Sequence, residues 1–157
     1  LRYDENPLKP NDVNLNERIR RSYEEEIVPH ICRPGDDQQY GSSAVCDVAC
    51  LQALSKRIHY GKFVAESKYQ DAPEAFTDPI TERDTAAIEA LITDEKVEAG
   101  VLERVEHKAQ SYGCDPGSGG AAEKIDAGRV ADIYRRWIIP LTKQVEIFYL
   151  IERRDCD

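Results

Sequence analysis

Apolar residues recur along most of the chain at helical spacing, and the strict alternation of a half-buried strand is nowhere found. The first run is Leu15, Ile19, Tyr23 and Ile27, each four residues after the last. It predicts a helix over about 14–29, behind an extended lead-in over 1–13 that holds two prolines. Residues 33–41, with Pro34, Gly35 and Gly41, read as a loop. Ser42 or Ser43 can then cap a helix, its hydroxyl accepting from the free amides of the first turn. That helix is expected to reach Gln70, with Ala44, Val48, Leu51, Leu54, Ile58 and Ala65 on its core side. Pro73 and Pro79 bound a broken connection, and a short helix covers about 81–92. Asp94 caps the next helix, which runs to Tyr112 and stops at Gly113. Residues 114–123 form a loop that is flexible by composition. Asp126 caps a final helix extending to about Arg154, in which Pro140 should produce a kink. The pattern as a whole predicts one all-α domain over residues 1–157.

Some polar residues do not fit this core pattern. Arg57 and Lys68 are eleven apart, three helical turns, with Gly61 and Val64 between them on the same stripe. Glycine inside a helix costs about 1 kcal/mol against alanine, so Gly61 should make room for something. Asp94 and Glu98 are four apart at the start of one helix, and Thr142 and Glu146 are four apart on the last. Taken singly, each pair suits a solvated helix surface. Taken together, they describe a polar cavity between facing helices of a bundle. Two cations, carboxylates and a hydroxyl match a small dianionic ligand carrying hydroxyl or ether oxygens.

Charge narrows the classes of partner. A formal charge of −9, with carboxylates spread along the chain, argues against nucleic acid, which calls for a basic stripe. No run of eighteen apolar residues is present to span a membrane. Five cysteines occur, at 32, 46, 50, 114 and 156. Cys46 and Cys50 share a helix face, but no second pair with zinc spacing follows, and nothing completes a ligand set around His30 and Cys32. They read as buried thiols, with no metal and no cofactor expected. Cys114 and Cys156 could pair if the protein is secreted.

The stretch from Cys50 to Lys68 closely resembles the signature helix of fungal and plant chorismate mutases. So do Tyr40 to Ser42, Val97-Glu98 with Arg104-Val105, Tyr112-Gly113, and the run Ile139 to Glu146. Asn6 to Pro10 fits the family's connecting segment. The resemblance implies a helical bundle of the eukaryotic chorismate mutase type, a homodimer whose substrate is chorismate, rearranged to prephenate without a cofactor. It implies that Arg57 grips a carboxylate with its fork and that Lys68 reaches a carboxylate and the ether oxygen. Glu98 is the implied acceptor for the ring hydroxyl, and Thr142 and Glu146 match the pair on the last helix, with Glu146 beside the ether oxygen. Asp94 stands where family members vary.

Two departures accompany the resemblance. The family's long first helix, whose arginine binds the other carboxylate, would precede Leu1, and Arg2, Arg18, Arg20 and Arg21 do not match it. The bundle is therefore expected to be N-terminally truncated, with an apolar groove where that helix would pack. Gly41 and Ser42 match part of the family's effector site, but Val45 stands where the regulated fungal pattern has a hydroxyl. No regulation by tyrosine or tryptophan is expected. The implied compartment is the cytoplasm. The alternatives are a secreted, weakly catalytic homologue that binds a partner, and a plain helical scaffold.

Overall fold

The computed structural model describes residues 6–36, 38–112 and 126–153, and among these every regular element is a helix. The expectations for Gly113, for the loop over 114–123 and for Cys114 and Cys156 lie outside the described residues. The first helical rod comprises α1 (Asn16–Ser22), a π-helical turn (Tyr23–Ile27) and α2 (Val28–Ile31). The central helices are α3 (Tyr40–His59) and α4 (Gly61–Asp71), followed by α5 (Pro73–Glu82) and α6 (Thr85–Ile92). Then come α7 (Glu95–Tyr112), α8 (Ala127–Ile133), a second π-helical turn (Tyr134–Ile138) and α9 (Ile139–Glu152).

The two π turns answer the prolines. Neither Pro29 nor Pro140 can supply the N–H that a regular ladder needs, and each ring would press on the carbonyl four residues back. In both rods the widened turn comes immediately before. Val28 N–H donates to the Tyr23 carbonyl and Ile139 N–H to the Tyr134 carbonyl, five residues back. The first helix therefore continues past the expected end at Pro29, and Pro140 is accommodated in a continuous helical backbone. The π turn also explains the apolar spacing. Positions repeating every four residues drift around a 3.6-residue helix, and a wider turn returns them to one line. Leu15, Ile19, Tyr23 and Ile27 are accordingly all buried. The two π turns touch: Trp137 Nε1 donates to Glu26 Oε2 at 2.6 Å, and the Trp137 ring lies 5.4 Å from that of His30.

Several expected boundaries are corrected. The helix expected from Ser42 begins at Tyr40, with Gln39 in the cap position and no side-chain cap, so neither Ser42 nor Ser43 serves. It does not run unbroken to Gln70, because Tyr60 interrupts it and Gly61 opens α4. Residues 40–50 are all exposed, so Ala44 and Val48 are not core; Leu51 and Leu54 are half-buried, Ile58 and Ala65 buried. Cys32, Cys46 and Cys50 are exposed too, contrary to the reading as buried thiols. The broken connection at 73–79 is helix α5. Pro73 occupies its first turn, where no N–H is needed, while Thr77 and Thr81 hydroxyls bond back to the carbonyls of Pro73 and Thr77. Arg83, at φ +54°, then turns the chain, and Asp84 caps α6 at Thr85, later than the expected 81. Asp126 does cap α8, accepting from Gly128 and Arg129 N–H, and α9 ends at Glu152.

Two apolar clusters meet on α9. Leu141 and Val145 pack with Val13, Leu15, Ile19, Ile58 and Ile138. Ile147, Tyr149 and Leu150 pack with Ala65, Phe76, Ile88 and Ile92. A helix apolar on nearly all sides belongs at the centre of a bundle, and α9 is that helix. The lead-in is laced to α9, α4 and α3. Lys9 N–H donates to Tyr149 Oη, Lys62 Nζ donates to Asn11 Oδ1 and the Val13 carbonyl, and Leu15 N–H donates to His59 Nε2.

Candidate functional site

Close approach of α4 to α9 creates the site. A Cβ on Gly61 would stand 3.0 Å from Thr142 Cγ2, 3.1 Å from the Thr142 carbonyl oxygen and 3.2 Å from Glu146 Cγ. The room that Gly61 was expected to make is thus filled by the pair on the last helix. Beside this contact lies a cavity of about 250 Å³ between α3, α4, the start of α7 and α9. Arg57, Lys68, Asp94, Glu98, Thr142 and Glu146 all line it, with Val64, Ile92, Val97, Val101, Ile139 and Lys143 between them. All six residues singled out from the sequence for substrate contact therefore face one space. Gly41 and Ser42 do not. They lie exposed in the first turn of α3, with Ser42 about 22 Å along the helix axis from Arg57.

Each side chain is held differently. Arg57, exposed in the last turn of α3, has its guanidinium carbon 6.0 Å from the centre of the Tyr134 ring. Lys68 Nζ donates to the Ile92 carbonyl and lies 3.4 Å from Glu146 Oε2. Asp94 Oδ1 accepts from Lys96 and Val97 N–H at 2.9 and 3.1 Å, so the residue caps α7 while lining the cavity. Thr142 Oγ1 donates to the Ile138 carbonyl at 2.6 Å. Glu146 is only 6% exposed. Burial raises its carboxyl above the ordinary value, and the Glu98 charge adds to the rise, while Lys68 and Lys143 oppose it. Among the described residues, no cluster of three His, Cys, Asp or Glu side chains could hold a metal ion.

Two features escaped the sequence reading. Lys143 Nζ meets Glu98 Oε1 at 2.7 Å. Its signal was a cation beside Thr142 and three residues before Glu146, on the neighbouring stripe of α9. The second feature is a buried network joining α4 to the end of α9. Glu66, 2% exposed, accepts from Tyr149 Oη at 2.6 Å, from Arg153 at 3.2 and 3.3 Å, and from Gln70 at 3.0 Å. The Arg153 guanidinium also stacks 3.8 Å over the Tyr69 ring. Burial alone would raise Glu66, but these donors bring its pKa below the ordinary value. Burial pushes the Tyr149 hydroxyl up to about 12, helped by its bond to Glu66.

Residues 39–147 match the family model for chorismate mutase type II. The chain belongs to that family. It is 50% identical to a chorismate mutase of Emericella nidulans over 155 residues, covering 93% of this chain and 58% of that protein. It is 45% identical to the chloroplastic chorismate mutase 1 of Petunia hybrida over 149 residues, covering 91% of this chain and 46% of that protein. The chain thus spans about half the length of the curated relatives it matches. Its fold superposes on a Candida albicans chorismate mutase in complex with L-Trp with a TM-score of 0.81, at 44% identity, covering 90% of this chain and 54% of that one. The plant enzyme AtCM1 with tyrosine in an allosteric site gives 0.82 at 45% identity, covering 89% and 56%. The family match spans every residue that lines the cavity, and the likeness to these solved structures extends over about nine tenths of the chain.

Proposed function

We propose that this type II chorismate mutase chain binds chorismate in the cavity between α3, α4, α7 and α9 and rearranges it to prephenate. The observation carrying this reading is that Arg57, Lys68, Glu98, Thr142 and Glu146, from four separate helices, line one small cavity in a chain of this family. The reaction breaks the ether C–O bond and forms a C–C bond in one concerted shift, so it needs neither nucleophile nor cofactor. What it needs is the compact conformer, with the enolpyruvyl arm over the ring, and stabilisation of charge growing on the ether oxygen.

The geometry supports both. The Arg57 fork is the carboxylate grip. Lys68 and Glu146, 3.4 Å apart, line the cavity side by side, and in this reading the ether oxygen sits against both. Lys68 donates as it stands. Glu146 donates only when protonated, and its burial favours that form. Glu98 accepts from the ring hydroxyl, Thr142 offers a second hydroxyl contact, and Asp94 flanks the mouth.

The same reading includes a homodimer acting in the cytoplasm, over a single domain. No helix among the described residues is long and apolar enough to cross a membrane. The relatives with bound tyrosine or L-Trp raise the question of an effector. Val45, exposed on α3 near Gly41 and Ser42, argues against one here, because it offers no hydroxyl to an amino-acid ligand. The direct test is product identity. Incubation with chorismate, followed by proton NMR, should show prephenate growing as chorismate disappears. Unchanged chorismate, at protein concentrations where the uncatalysed reaction is outrun in any active relative, would refute the reading.

A further inference from the structure

Lys143 belongs to none of the roles described so far, yet it reaches from α9 to the first turns of α7 and meets Glu98 Oε1 at 2.7 Å. Both side chains are largely withdrawn from water, 20% and 31% exposed, and both line the cavity. The cavity presents three cations, Arg57, Lys68 and Lys143, against three carboxylates, Asp94, Glu98 and Glu146. Asp94 is engaged by two backbone amides at a helix N-terminus, and Glu98 by Lys143. Arg57 has no carboxylate partner among the described residues, and Lys68 is shared between Ile92 and Glu146. An unpaired Glu98 would repel a dianion at the wall where that ligand must lie.

We propose that Lys143 is a positioning residue: it fixes the Glu98 carboxylate against the cavity wall and offsets its charge, leaving Arg57 and Lys68 as the cations a dicarboxylate meets. The inference rests on the chorismate reading for its ligand, but not for its electrostatics. Glu146 reports on those. It is faced by Lys68 from α4, Arg57 from α3, Asp94 and Glu98 at the start of α7, and Lys143 on its own helix. Removing Lys143 exposes Glu146 to the whole Glu98 charge; removing the Glu98 charge does the reverse.

The test is a carbon-13 titration of the Glu146 carboxyl in the full chain and in three variants. Lys143→Gln should raise the midpoint by about half a pH unit or more, and Glu98→Gln should lower it. Lys143→Arg keeps the charge and should stay near the parent, which separates a charge effect from a packing defect. With chorismate, Lys143→Gln should raise KM severalfold more than it lowers kcat, with Lys143→Arg restoring KM. Coincident midpoints in parent and Lys143→Gln, or shifts of the same sign in Lys143→Gln and Glu98→Gln, overturn the proposal. A parent chain inert toward chorismate defeats the chorismate reading alone, since the titration still decides the role of Lys143.

Discussion

Glu146 shows how one residue's setting determines its chemistry. A carboxylate amid Val145 and Ile147 on the central helix loses its water, and the proton is retained to higher pH. Turnover should fall as pH rises through that folded-state value. Glu146→Gln carries a donor at every pH and should remain active while losing most of the alkaline decline in its pH–rate profile. Stability follows the same sign. The folded chain holds this proton beyond the ordinary 4.5, so the advantage is complete below that value and lost as pH rises through the folded one. Glu146→Gln should therefore melt higher than the parent at pH 8 and no higher at pH 4. Gly61 is the other residue-scale control. Alanine would gain helix propensity worth about 1 kcal/mol, but its Cβ would press on the Thr142 backbone oxygen at 3.1 Å, which cannot swing away. Overpacking costs about 1–3 kcal/mol, so Gly61→Ala should lower Tm by a few degrees, roughly 2–4 °C per kcal/mol of net loss. An unchanged or raised Tm would show that the contact between α4 and α9 gives way to the added methyl group without cost.

At the scale of elements, legibility depended on whether a signal is local. Asp94 and Asp126 could be read as caps because an aspartate bonds amides two and three residues on. The apolar stripe of the first helix was equally plain. The π turns were not, since Pro29 and Pro140 announce a missing hydrogen bond without saying how the backbone absorbs it. The exposure of α3 from Tyr40 to Cys50 was also hidden, because periodicity marks a face without naming what covers it. Six of the cavity residues were legible through their types and spacing, whereas Lys143 and the Glu66 network depend on which helices meet. That network predicts the strength of the α4–α9 contact. Glu66→Ala removes the buried carboxylate on which Tyr149, Gln70 and Arg153 converge and should cost about 3 kcal/mol or more. Glu66 is held below the ordinary carboxylate value, so its contribution is present above about 4.5 and lost as pH falls. Urea denaturation of Glu66→Gln should show a deficit at pH 7 that shrinks toward pH 3. A deficit of equal size at both would mean the carboxylate charge is not what braces the two helices.

The whole molecule brings these scales together around α9, which joins both apolar clusters and carries Thr142, Lys143 and Glu146 into the cavity. The absence of regulation is a separate expectation, drawn from Val45 on the exposed half of α3. Tyrosine or tryptophan should leave the chorismate saturation curve unchanged, and a shift with either would show that an effector is bound despite Val45. The cavity itself is tested most directly by turnover at saturating chorismate in the parent and in Lys68→Ala. Lys68 meets Glu146 where the ether oxygen would lie, whereas Arg57 reaches the cavity from α3 as the proposed carboxylate grip and Lys143 is engaged by Glu98. Loss of one such transition-state donor should reduce kcat about a hundred- to a thousandfold. Equal kcat in parent and Lys68→Ala would mean that any rearrangement occurs elsewhere than in this cavity.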